Sequence, residues 1–102
     1  MTAIKERIYL INLFQQYKSL LTKKQQTYFQ AHYYEDLSLN EIADINNVSK
    51  NAVYDSLDKI TKLLYKYEML LHLYEYQENR LALYDQIENL ELKNKLIKLE
   101  KK

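Results

Sequence analysis

Glycine, proline, cysteine and tryptophan are all absent from this 102-residue chain. Without glycine or proline, tight hairpins and a glycine-rich phosphate loop are hard to build. Helices are therefore expected throughout, with the turns made by Asn, Asp, Ser and Lys. The lack of cysteine excludes disulfides and thiolate metal sites. No apolar run approaches the ~18 residues needed to span a bilayer, and no signal-peptide pattern opens the chain, so no membrane insertion and a cytoplasmic location are expected. A net charge of +1 gives no global attraction to polyanions. The two histidines, His32 and His72, are far apart in sequence and form no HxxxH pair, and Glu35 with Asp36 suits a solvated helix terminus. Neither a catalytic site nor a metal or cofactor is expected from these residues.

Hydrophobic residues make up 47% of the chain and charged residues 28%, enough apolar surface for the core of one domain with an appended helix. Tyrosine is frequent, with 11 copies. For most of them burial in helix interfaces is the expectation. Ile4, Ile8, Ile11, Leu13, Phe14 and Tyr17 suggest a first amphipathic helix over residues 4–20. Thr22 and Gln25 have capping-box spacing and open a second helix reaching about Tyr34.

The most informative stretch is residues 38–60, which reads as a helix-turn-helix. Ser38 and Glu41 repeat the capping-box spacing, while Leu39, Ile42 and Ala43 form one apolar face. Asn47 stands where the chain must reverse and tolerates the left-handed conformation. Val48 is expected to plug the turn into the core. Ser49 is an N-cap for the next helix, whose Val53, Leu57 and Ile60 supply its buried face. That helix either ends near Leu64 or runs on, and the polar residues 77–80 around Asn79 are the best candidate break. Residues 1–76 then form a helix-turn-helix domain and 77–102 a C-terminal helical extension. In the extension Leu83, Ile87, Leu90, Asn94 and Ile97 give a heptad-like seam, with Leu92, Leu96 and Leu99 widening it. Such a face packs either on the chain's own core or on a second protomer, as a homodimer. Lys93, Lys95, Lys98, Lys101 and Lys102 suit the C-terminus of a helix.

The run from Leu21 and Thr22 through Lys23, Lys24, Gln25 and Gln26, then Ser38, Leu39, Glu41, Ile42, Ala43, Val48, Ser49, Ala52, Val53, Tyr54 and Asp55, resembles the YlxM family. Leu63, Leu64, Tyr67, Glu68, Leu71, Leu73, Tyr74 and Glu75 also fit its pattern, so the resemblance covers roughly residues 13–76. These are small bacterial helix-turn-helix proteins related in architecture to region 4 of sigma factors. The resemblance implies an all-α, sigma-region-4-like fold. Because genes of this family commonly lie beside those of the signal recognition particle and its receptor, it also implies a regulatory role in co-translational targeting. It brings no catalytic residues.

The residues read as the nucleic-acid or partner-binding set are Lys50, Asn51, Tyr54, Asp55, Lys59 and Lys62, with Lys23 and Lys24 from the preceding helix. Sigma-like reading helices tend to carry basic residues where Tyr54, Ser56 and Asp58 stand here. Lys50 and Lys59 are cancelled by Asp55 and Asp58. An Asp accepts from cytosine N4 only when basic anchors surround it. The expectation is therefore weak nucleic-acid binding, to DNA or to signal recognition particle RNA, or contact with a protein of that particle. A DNA-binding transcriptional regulator is the alternative.

Overall fold

The computed structural model describes residues 3–101, so Lys102, one of the terminal lysines, lies outside the described residues. Six α-helices follow one another: α1 Ile4–Tyr17, α2 Lys23–Tyr33, α3 Leu39–Asn46, α4 Lys50–Leu71, α5 Leu73–Tyr84 and α6 Leu90–Leu99, with a 3₁₀ turn at Lys18–Leu20. The fold is all-α, with no strand among the described residues.

Helices α1 to α4 surround one core. Leu10, Leu13, Phe14 and Tyr17 come from α1; Tyr28, Phe29, Ala31 and Tyr33 from α2; Ile42 and Ala43 from α3; Val53, Leu57, Ile60 and Leu64 from α4. Phe29 is stacked on one side by Phe14, 4.2 Å between centroids, and on the other by Tyr33, 4.4 Å away. The stripe expected on α1 is rotated. Leu10, Leu13, Phe14 and Tyr17 recur at steps of three, one and three and form the inner face, whereas Ile4 and Ile8 occupy a neighbouring face and are exposed.

Local chemistry sets the ends of the helices. Thr22 with Gln25, and Ser38 with Glu41, both form complete capping boxes. Asn47 sits at φ 55°, ψ 47°, and its N–H reaches the Asp44 carbonyl while that of Val48 reaches Ala43. These are the two bonds of a Schellman motif. The backbone thus closes the turn, and Val48 is not the plug expected, being 37% exposed. Ser49 Oγ accepts from the Ala52 amide and starts α4.

The reading helix runs on without interruption to Leu71. The break expected at residues 77–80 does not occur there, since α5 passes through that run. It falls instead at His72, a single left-handed residue (φ 55°) ending α4 and preceding α5. Glu68 explains the position. Its carboxylate is buried, accepts from the Tyr17 hydroxyl at 2.5 Å, and accepts from the first amides of α5, Tyr74 at 3.1 Å and Glu75 at 3.0 Å. A side chain of α4 therefore satisfies the orphan donors of α5 and complements its dipole.

The first turns of α5 are tied to α1 by Asn12 to Tyr74 Oη and Gln16 to Gln77. Beyond them α5 and α6 stand away from the core, and neither helix contains a buried residue. The radius of gyration is 16.6 Å, against about 13 Å for a compact chain of this length. The heptad seam is not carried by one helix, because the chain reverses at residues 85–89 and α6 folds back along α5. Leu83, Leu90 and Asn94 are exposed. The fold-back is held by Arg80, whose guanidinium donates twice to Glu100 at 2.8 Å, and by the Tyr84 hydroxyl at 2.7 Å from the same carboxylate.

Candidate nucleic-acid interface

Helix α3 and the turn at Asn47 present the N-terminal half of α4 to solvent, as the motif requires. Glu41, which fixes the start of α3, accepts from the Ser38 amide, and that bond lowers its pKa below the ordinary carboxylate value. Along α4 the residues Asn51, Asp55, Lys59, Lys62 and Lys66 succeed one another at steps of four, four, three and four, and all are exposed. They share one solvent-facing stripe. Lys66 was missed in reading the sequence, although its spacing from Lys62 and Lys59 puts it on that stripe.

The stripe is only weakly cationic. Lys62 Nζ lies 2.9 Å from Asp58 Oδ2, a contact that raises the lysine's pKa. Its charge is thus partly compensated before any phosphate arrives. Lys50, Lys59 and Lys66 make no ion pair among the described residues. Lys23 and Lys24 lie on a different element, the exposed first turn of α2, where Lys24 stands over the Tyr28 ring, 5.7 Å from its centroid.

Tyr54 belongs to a different surface from the lysine stripe. With Asp58 and Thr61 it lines one wall of a cleft of about 780 Å³, bounded also by α1 and by the link from α2 to α3. In that link Asp36 is left-handed, φ 60°. Arg7 closes one end by donating to the carbonyls of His32, 2.9 Å, and Tyr33, 3.3 Å. The ring of His32 stands 2.9 Å through Nδ1 from the Leu37 carbonyl, which can only accept, so Nδ1 carries the proton. Of the tyrosines, Tyr34, Tyr54 and Tyr76 are exposed. The remaining eight are buried or half-buried.

No helix of the described residues is long and apolar enough to cross a membrane. Nor do those residues contain a cluster of three or more His, Cys, Asp or Glu able to hold a metal ion.

Similarity to known proteins converges on one family. The UPF0122 family, described as "Putative helix-turn-helix protein, YlxM / p13 like", matches residues 4–102. The chain is 47% identical over 91 residues to the UPF0122 protein of Ureaplasma urealyticum serovar 10, an alignment covering 89% of this chain and 92% of that one. It is 46% identical over 92 residues to a probable UPF0122 protein of Mycoplasma mycoides, covering 90% and 81% respectively. With the UPF0122 protein of Fusobacterium nucleatum subsp. nucleatum the identity is 45% over 74 residues, 72% of each chain.

Proposed function

Because the chain belongs to the UPF0122 family of YlxM/p13-like helix-turn-helix proteins, we propose that it is a regulatory protein of the signal recognition particle pathway, binding nucleic acid weakly through α4. The observation that supports this reading is the composition of the solvent-facing stripe of α4. Lys59, Lys62 and Lys66 share it with Asp55, and Asp58 already holds Lys62. Three lysines release few counterions, so the electrostatic contribution is small compared with that of a protein making six to ten phosphate contacts. RNA contact would use these lysines for phosphate and the exposed Tyr34 for stacking, since Tyr54 faces the cleft. Lys50 at the first turn of α4, with Lys23 and Lys24 of α2, lies off this stripe and serves a protein partner rather than phosphate, and Asn51 extends the stripe toward the start of α4. The C-terminal segment, residues 77–102, serves as the pairing element of a homodimer, and the protein works in the cytoplasm without catalysis.

Affinity capture of the full chain from cells, with RNA and protein both identified, tests this. Signal recognition particle RNA or protein retained at moderate salt is expected; a clean absence of both overturns it.

The alternative, a DNA-binding transcriptional regulator, is favoured by the geometry of the motif itself: a capped α3, a Schellman turn at Asn47 and a capped, exposed α4. It requires duplex binding that falls steeply with salt and is lost in a Lys50→Glu, Lys59→Glu variant. An undetectable or salt-insensitive shift on duplex DNA excludes it.

A further inference from the structure

We propose that the cleft beside Tyr54 is the seat of helix α6 from a second copy of this chain. The proposal rests on the reading that the C-terminal segment pairs two copies, and it states where that segment docks. Leu10, Leu37, Leu39 and Leu57 line the cleft together with the rings of Tyr33 and Tyr54. Its charged lining is Glu6, Asp36, Glu41 and Asp58 against the guanidinium of Arg7, and Asp58 is also paired with Lys62 at 2.9 Å, which leaves the lining net acidic. Arg7 is already committed to two backbone carbonyls and to Asp36, at 3.3 Å. Such a surface selects an insert that is apolar along its middle and cationic at its edges.

Helix α6 has that character along one flank of its contact with α5. Lys93, Leu96, Ile97 and Glu100 are half-buried against α5. At about a right angle to that face, one flank carries Leu92 and Leu99, 49% and 79% exposed and seven residues apart, with Lys95 and Lys98 on its solvent edge. Glu100, which would spoil the charge match, is turned inward and taken by Arg80 and Tyr84. Glu91 stays on the outward side beside these two lysines, so that edge carries a net charge of about +1, and its pair with Lys95 at 3.3 Å is of a kind that contributes little and exchanges readily. Ten helical residues span about 15 Å and set Leu92 and Leu99 about 10 Å apart on that flank. Two copies related by a two-fold axis would make this contact twice, each giving α6 and receiving one, which closes the assembly as a dimer.

Sedimentation velocity of the full-length chain provides the test, with circular dichroism confirming that each variant keeps its helices. The wild type is expected to dimerise. Glu6→Lys with Asp58→Lys, and separately Lys95→Glu with Lys98→Glu, should each weaken self-association by about tenfold or more. All four changes in one chain should restore it to within a few-fold. A wild-type dimer that neither pair of changes weakens overturns this seat while leaving pairing through the C-terminal segment intact. Weakening by both pairs without rescue in the combined variant also overturns it. A wild type that is monomeric at every concentration overturns both the seat and the pairing.

Discussion

Glu68 is a buried carboxylate surrounded by donors from two other helices, and the course of the chain depends on it. Replacing it with leucine would strand the Tyr17 hydroxyl and the Tyr74 and Glu75 amides together. Leaving buried polar groups unpaired in this way is expected to destabilise the fold by about 3 kcal/mol, lowering the thermal midpoint by roughly 10–20 °C. Tyr17→Phe removes only the hydroxyl, which also accepts from the Leu73 amide, and should destabilise by about 1–2 kcal/mol. Both values are read by thermal or urea unfolding. The phenol of Tyr17 is pushed up to about 12 by burial first and by its bond to Glu68 second, and that of Tyr65 to about 12 by burial and its bond to Glu6. These phenols resist ionisation more in the folded chain than in the unfolded one. Their contribution is therefore complete below pH 10 and is lost as the pH rises toward 12. An absorbance titration should show these two tyrosinates forming together with loss of helix; ionisation below pH 10 with the fold intact would contradict it.

At the scale of the element, what was legible in the sequence was what neighbouring residues decide. Thr22 with Gln25, Ser38 with Glu41, Asn47 and Ser49 act within four residues of themselves, and each forms the cap or turn its chemistry specifies. The His72 junction was not legible, because Glu68 is fixed by Tyr17, 51 residues away. The same holds for the reversal at residues 85–89, which depends on Arg80 meeting Glu100 across 20 residues. Ile4 and Ile8 misled because two apolar stripes run side by side on α1, and only tertiary packing chooses between them. Of the candidate site, the exposed residues of α4 were readable from spacing, whereas the cleft joining Tyr54 to α1 and to the α2–α3 link was not. Ser49→Ala is expected to cost about 1 kcal/mol by removing the cap of α4, and Asn47→Val at least as much by forcing a branched side chain into the left-handed region; chemical denaturation checks both. Glu100 is held down to about 2 by the Arg80 guanidinium first and the Tyr84 hydroxyl second. Its grip on α5 is complete above the ordinary carboxylate value of 4.5 and is lost as the pH falls toward 2. The protection factors of the α6 amides, corrected for the intrinsic pH dependence of exchange, should therefore fall selectively at acid pH and, in Glu100→Gln, already at neutral pH. Uniform protection across α5 and α6 in both cases would contradict this.

For the whole molecule, shape and charge point the same way. A core of four helices carries the motif, and two further helices extend from it to make a body 54 Å long and 25 Å across. Neither extending helix buries a residue of its own. Near-neutral overall charge and a diluted lysine stripe give little electrostatic drive toward a polyanion. The most direct measurement is a fluorescence-anisotropy titration of the full chain against signal recognition particle RNA and a random DNA duplex of equal length, repeated over a series of salt concentrations. The account predicts weak binding that favours the RNA, with log K falling against log salt at a slope of about −2 to −3, as three lysines would give. A Lys59→Gln, Lys62→Gln, Lys66→Gln variant should lose that slope. Preference for the duplex with a slope near −8, or no RNA binding at the lowest salt, would contradict it.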